Sequence, residues 1–264
     1  LTVPFLGEIP LAYHKRRKLI IKPKEADTAQ LVVEENVRNS INEAFRVVRT
    51  NLEFMLHKGK DSKVIMVSSF NSGSGKTFIS INLATSLAIK NKKVLLIDMD
   101  MRRATLSKYI DSPKTGISNY LVEYENNLDN IIIKSLVHKN LDVIPVGTIP
   151  PNPTELLNDE KIESLLSDLR KEYDYILIDC PPIEMVADAA IINAHVDSTL
   201  FVVRAGLLNR NMLPALQRLY DEQKYCNLNI ILNGTEEVLN RYSYRRYGYR
   251  YGYNYGYVKY STNE

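Results

Sequence analysis

A nine-residue stretch, SFNSGSGKT at 69–77, brings together the residue types that hold a polyphosphate. Gly73 and Gly75 allow the backbone to curl so that successive N–H groups point at phosphate oxygens. Lys76 is placed to reach the β- and γ-phosphates, and the Thr77 hydroxyl to hold Mg²⁺. Ser72, Ser74 and Phe78 complete the stretch whose main chain would face the nucleotide. Phe70 stands where the G-x-x-x-x-G-K-[ST] pattern has its first glycine, which weakens the bare match. A glycine-bearing loop alone is often just a turn. Here it follows an apolar run of strand length and opens a helix-like run, whose positive dipole end favours an anion.

Further along, acids sit at the ends of other apolar runs. LLIDMDMR carries Asp98 and Asp100, two positions apart and so on the same face, and YILIDCPP carries Asp179. A single Asp at a strand end is usually a helix cap or turn residue. Three of them on the sheet edge that also carries the phosphate loop point to a Mg²⁺ site, because hard cations take oxygen ligands. The shared ligand of loop and acids is Mg-ATP.

The elements that must position these residues are legible as changes of period. KVIMVSS (63–69), KVLLIDMD (93–100), LDVIPVG (141–147), YILIDC (175–180), STLFVVRAG (198–206) and LNIILNG (228–234) read as strands covered on both faces. Helical patterns lie between them at roughly 75–90, 153–170, 184–194 and 209–224. The alternation predicts a mainly parallel, doubly wound α/β sheet, with ligands at the carboxyl ends of its strands. Ahead of it, SINEAFRVVRTNLEFMLH (40–57) has a helical stripe, with Ser40 as the expected cap and Glu43 completing a capping box. We therefore set three segments: 1–39 as an N-terminal, juxtamembrane piece, 40–240 as the catalytic domain, and 241–264 as a flexible tail.

Composition narrows the partners. With 264 residues and a net charge of +3, the chain lacks the basic excess of a nucleic-acid binder, and no nucleic acid is expected. Two cysteines, Cys180 and Cys226, make neither a disulfide framework nor a metal site and fit a reducing compartment. No run approaches the length of a membrane span. The HKRRK run at 14–18, near a start at Leu1 rather than Met, reads either as a solvated charge run or as a segment lying just inside a membrane.

Together these motifs resemble the cytoplasmic catalytic domain of the bacterial tyrosine kinases, the BY-kinases, whose catalytic core is a P-loop NTPase of the MinD/ParA type. The carriers are E-x-x-R-x-x-R at Glu43, Arg46 and Arg49, the loop ending GSGKT, DMDMR, LIDCPP, PPNPTELL at 150–157 and the tyrosine cluster at the C-terminus. VPFLGEIP near the start looks like the segment following the second membrane span in that family. The resemblance implies an ATP- and Mg²⁺-dependent protein-tyrosine kinase on the cytoplasmic face of the bacterial inner membrane, serving polysaccharide synthesis and export. It implies that Asp98 helps hold the metal and orients or deprotonates the attacking tyrosine, and that Asp100 and Asp179 complete the metal shell. Lys76 is then catalytic as well as phosphate-binding, Arg102 lies near the phosphates, and Asn233 contacts the adenine unless it is only a turn residue. It further implies a homo-oligomeric ring, expected to be an octamer, with Glu43, Arg46 and Arg49 at the contact, a membrane-spanning activator region and a tyrosine phosphatase. Cys180 departs from the Ser or Thr usual in the family.

The tail RYSYRRYGYRYGYNYGYVKY (241–260) has nine tyrosines, Tyr242, Tyr244, Tyr247, Tyr249, Tyr251, Tyr253, Tyr255, Tyr257 and Tyr260, among five basic residues and no acid. Alone it reads as an RNA-stacking segment, an aggregation-prone stretch or an aromatic edge. Beside a Mg-ATP site it reads as the phosphoacceptor. Two rivals stay open: a positioning ATPase of the partitioning or division-site type, and a binding module that recruits partners through the tail. Asn71, where those ATPases carry a signature Lys, argues against the first.

Overall fold

The computed structural model describes residues 1–11, 31–56, 62–157, 159–183 and 188–236. The strands are β1 (Phe5–Pro10), β2 (Lys63–Ser68), β3 (Val94–Asp98), β4 (Leu141–Ile144), β5 (Tyr175–Asp179), β6 (Ser198–Arg204) and β7 (Leu228–Thr235). They form one sheet in the order β1-β7-β6-β2-β5-β3-β4, with every neighbouring pair parallel. The helices are α1 (Ser40–Met55), α2 (Lys76–Ile89), α3 (Thr105–Lys108), α4 (Ile117–Leu121), α5 (Pro153–Leu156), α6 (Asp159–Leu169), α7 (Asp188–Asn193) and α8 (Leu213–Asp221). This is the doubly wound arrangement that the apolar runs predict.

Alternation along each strand sends side chains to both faces. In β2, Ile65 and Val67 join Phe45 and Leu52 of α1 and Ile79 and Leu83 of α2, while Val64 and Met66 join Ile162 and Leu165 of α6 and Ile192 of α7. A third cluster sets Phe70 and Phe201 against Leu216 of α8, the two rings meeting edge to face at 4.8 Å between centroids. Phe70, the residue in place of the loop's first glycine, is thus a packing anchor where the chain leaves β2.

The structure adds one element and corrects others. Residues 5–10, expected in a segment ahead of the domain, form an edge strand paired with β7. A bulge hides this strand in the sequence: Gly7 adopts φ +147°, the register shifts between Phe5 and Gly7, and Leu6 and Ile9, three apart, both become buried. The run at 153–170 is broken at Leu157, which leaves helical geometry (φ −78°, ψ 71°) and drops into the core. Of the 184–194 run, the described residues form α7 (Asp188–Asn193) as expected, and 209–224 shortens to α8 behind a 3₁₀ turn at Arg210–Met212.

The α1 cap also differs. Asn39, not Ser40, caps the helix, its Oδ1 accepting from the Asn42 amide at 2.8 Å, and Glu43 turns to Arg46 (2.7 Å) instead of closing a capping box. Arg49, expected at a subunit contact, also has a partner within the chain. It donates through Nη1 to the Ser86 carbonyl at 2.7 Å, among the last carbonyls of α2 that lack an intrahelical partner, and so ties α1 to α2. The basic run at 14–18 and the tyrosine tail lie outside the described residues.

Replacing the true cap should therefore cost stability where replacing the expected one does not. Asn39→Ala is expected to lower unfolding free energy by about 1 kcal/mol, and Ser40→Ala to stay within about 0.5 kcal/mol, in urea denaturation followed by circular dichroism.

Candidate active site

The phosphate loop leaves β2, the strand between β5 and β6, and runs into α2. Gly73 (φ +77°) and Gly75 (φ +89°) take left-handed backbone that side chains other than glycine rarely adopt. At Gly75 space matters too, since an added Cβ would lie 2.2 Å from Asn233 Nδ2.

Register brings the acids to this loop. Asp98, the last residue of β3, is the direct cross-strand partner of Asp179, the last residue of β5, and Asp179 is in turn paired with Val67 of β2. Asp179 accepts from Thr77 Oγ1 at 2.6 Å and from Ser80 Oγ at 3.3 Å, linking the end of β5 to the first turn of α2. Burial pushes the Asp179 carboxyl up to about 6, against the opposing pull of the Thr77 hydroxyl and the Lys76 ammonium. Asp98 goes further, to about 8, because it is buried and faces the charge of Asp179, while Ser107 hydrogen bonds pull the other way. Lys76 is itself mostly buried, which lowers its pKa despite Asp179 and Asp100 nearby.

Some residues at this edge carry no sequence signature. Ser107, in α3, donates from its amide (2.8 Å) and hydroxyl (2.7 Å) to Asp98 Oδ2, and its hydroxyl accepts from the Val146 amide beyond β4 at 2.8 Å. Asp98 is thereby fixed in orientation by a segment nine residues downstream. Asp100 accepts from the Arg103 amide at 3.2 Å and shapes the turn after β3. Arg204 donates to the Gly73 carbonyl at 3.2 Å.

Other expected site residues lie near but engage different partners. Arg102 reaches Thr154 Oγ1 (3.0 Å) and Asp188 (3.5 Å), and Thr154 donates to Asp188 at 2.6 Å, joining DMDMR, PPNPTELL and α7. The Phe78 ring packs edge to face on Phe45 of α1, so only its main chain belongs to the loop. Asn233 lies in β7, not in a turn, and its amide donates to the Ser74 carbonyl at 2.9 Å. Cys180 is fully buried among apolar side chains, and burial pushes its thiol well up, so it stays neutral.

The donor set fits a nucleotide-bound magnesium ion. Among the described residues no three His, Cys, Asp or Glu side chains form a cage for a metal. Mg²⁺ does not need one: it keeps several waters and is held through one or two carboxylates plus phosphate oxygens. Thr77 and the paired strand-end carboxyls beside the glycine loop supply oxygen donors of that kind.

Known proteins place this geometry. The AAA domain family profile matches residues 62–228. Tyrosine-protein kinase CpsD of Streptococcus agalactiae is 36% identical over 222 residues, covering 82% of this chain and 95% of that protein. Tyrosine-protein kinase wzc of Salmonella typhi is 33% identical over 249 residues; 92% of this chain is covered, but only 34% of that longer protein. The solved kinase domain of Escherichia coli tyrosine kinase ETK superposes with a TM-score of 0.75 at 30% identity, covering 97% of this chain and 95% of that one. The septum site-determining protein MinD from Pyrococcus horikoshii, solved with Mg-ADP, shares the fold alone, with a TM-score of 0.53 at 22% identity over 65% of this chain and 70% of that one.

Two outcomes follow from the electrostatics. With the Asp98 pKa raised from the ordinary 3.8 to about 8, the folded state holds this proton longer than the unfolded chain does. Its contribution to stability is therefore complete in acid and is lost as pH rises through about 8. Without metal or nucleotide, the melting temperature should fall between about pH 5 and about pH 9, and Asp98→Asn should flatten that slope. Cys180→Ser should keep catalytic turnover while lowering stability by about 1–3 kcal/mol, the cost of a buried hydroxyl without a partner. Kinase assays and melts on one preparation check both parts.

Proposed function

This chain belongs to the bacterial tyrosine-protein kinase family and is itself a protein-tyrosine kinase, and from that premise we propose that it phosphorylates its own C-terminal tyrosine cluster. The observation that carries the assignment of the centre is the in-register pairing of Asp98 with Asp179 beside the strand that feeds the phosphate loop. Bound Mg-ATP supplies the γ-phosphoryl group and a divalent charge that offsets the acids.

The chain's own residues do the positioning. Loop amides and Lys76 hold the phosphates, and Thr77 and Asp179 hold the metal's side of the nucleotide, with Asp98 and Asp100 completing it. Transfer through a loose transition state needs mainly alignment and charge neutralisation. A tyrosine hydroxyl, with a pKa near 10, therefore needs only a nearby acceptor. Asp98, ionised once the cation is bound and oriented by Ser107, is suited to orient that hydroxyl and take its proton. Arg102 and Asn233 are proposed near the phosphates and the adenine, respectively.

The acceptors are Tyr242 to Tyr260 in the tail, reached in trans within a ring. Each phosphate brings about −1.5 to −2 charges, so several would reverse the tail's basic character and release it from a neighbouring subunit. For the ring contact, the half-exposed Glu43–Arg46 pair offers charge to a partner, while Arg49 acts from within by holding α1 on α2. Among the relatives, one from Klebsiella pneumoniae is named as a kinase in the cps region. Capsular or exopolysaccharide synthesis at the cytoplasmic face of the inner membrane is the proposed setting, with a membrane-spanning activator and a tyrosine phosphatase as partners.

Intact-mass spectrometry after incubation with Mg-ATP should show a ladder of phosphate additions on the full chain. Lys76→Met and a chain cut after Asn240 should show none, and Asp98→Asn should slow the ladder by at least about 10²-fold. ATP hydrolysis without mass gain would instead make the chain a positioning ATPase. Glu43, Arg46 and Arg49 changed together to Ala should give a monomer, by light scattering, with weak autophosphorylation.

A further inference from the structure

A loop that points its amides at phosphate must turn its carbonyls the other way, and a donor on such a carbonyl fixes the direction of the peptide unit. Around the glycine loop these donors can be named. The Asn71 carbonyl accepts from Ser69 Oγ (2.7 Å) and Ser74 Oγ (2.9 Å). The Gly75 carbonyl accepts from the Ile79 amide at 3.0 Å, the first turn of α2. Of the three between them, two are served from outside: the exposed Gly73 by Arg204 Nη1 at 3.2 Å and the buried Ser74 by Asn233 Nδ2 at 2.9 Å.

These outside donors are coupled. Arg204 ends β6 and is the in-register partner of Asn233 in β7, so one rung of the sheet presents both donors to successive turns of the loop. The rung continues outward through the Ala205 amide, which donates to the Asn233 carbonyl at 2.9 Å. The Arg204 stem lies over Gly234, where an added Cβ would come within 3.7 Å of Arg204 Cγ and Nε. Its head is therefore aimed along a defined line, although the residue sits at the sheet's end and not in the core.

We infer that Arg204 is a positioning residue for the nucleotide: with Asn233 it pins the outward carbonyls of the phosphate loop and so presets the amide cradle. The inference rests on the reading of that loop as a nucleotide site. A guanidinium suits the task, since a hydrogen bond from a charged donor is stronger than one from a neutral donor. It also brings positive charge beside the loop without occupying the cradle. The Asn233 amide is thereby already engaged with the loop while its side chain remains next to Gly75.

The test is isothermal titration of the full chain with Mg-ADP, alongside initial rates of tyrosine phosphorylation over a range of Mg-ATP and melting curves without nucleotide. Arg204→Ala should raise the Kd for Mg-ADP and the KM for Mg-ATP by about tenfold. The saturated rate should stay within about twofold and the unliganded melting temperature should not move, because only preorganisation is lost. Arg204→Lys, which keeps a charged donor, should recover part of the affinity. An unchanged Kd in Arg204→Ala, or a fall in melting temperature with no change in Kd, overturns the assignment. Lys76→Met run in parallel keeps the premise separate: if it too binds Mg-ADP normally, the loop is not a nucleotide site and the inference falls with it.

Discussion

The hydrogen bond from Thr77 to Asp179, 2.6 Å long, joins the two parts on which the rest of the site depends. One end belongs to the first turn of α2 and the other to the last residue of β5, the neighbour of the strand that launches the loop. Because β2 lies between β5 and β6, the loop rises from the middle of the sheet and is flanked by acids on one side and by Arg204 and Asn233 on the other. The crossover order, more than any local sequence, thus sets the acids and these two donors on opposite sides of the loop.

This arrangement holds the unliganded protein against its electrostatic preference. Two carboxyls paired across adjacent strands, nearly or wholly buried, favour the protonated form, and the neighbouring Lys76 ammonium is itself desolvated. Ser107 and Thr77 compensate in part by donating to the acids. A divalent cation with an anionic polyphosphate would complete the compensation, since the cation meets the carboxylates and the phosphates meet Lys76 and the loop amides. Burial that is costly when empty is what makes such a site selective for a ligand carrying both charges.

Much of this was legible in the sequence, and the exceptions share a cause. The apolar runs that became β2, β3 and β5 announced themselves by continuous hydrophobicity, and the acids after them by position. Residues whose role depends on a distant partner gave no signal: Ser107 meets Asp98 only because α3 folds back, and Arg204 meets Gly73 only because β6 lies next to β2. β1 escaped because the Gly7 bulge breaks the period of two, and the bond from Arg49 gave no signal because its acceptor is a main-chain carbonyl on another helix. PPNPTELL was recognisable as a motif before its physical content was visible. Thr154 within it joins Arg102 to the buried Asp188.

The central claim is that these raised carboxyls are held for a magnesium nucleotide. Calorimetric titration of Mg-ADP at pH 7 in buffers of differing ionisation enthalpy counts the protons exchanged on binding. Asp98, near 8 in the empty site, should surrender its proton to the solvent as the cation arrives, so the observed heat should depend on the buffer with net proton release. That release should disappear in Asp98→Asn. Binding with no proton released by the native chain would contradict the account, because Asp98 would then not be held protonated in the empty site.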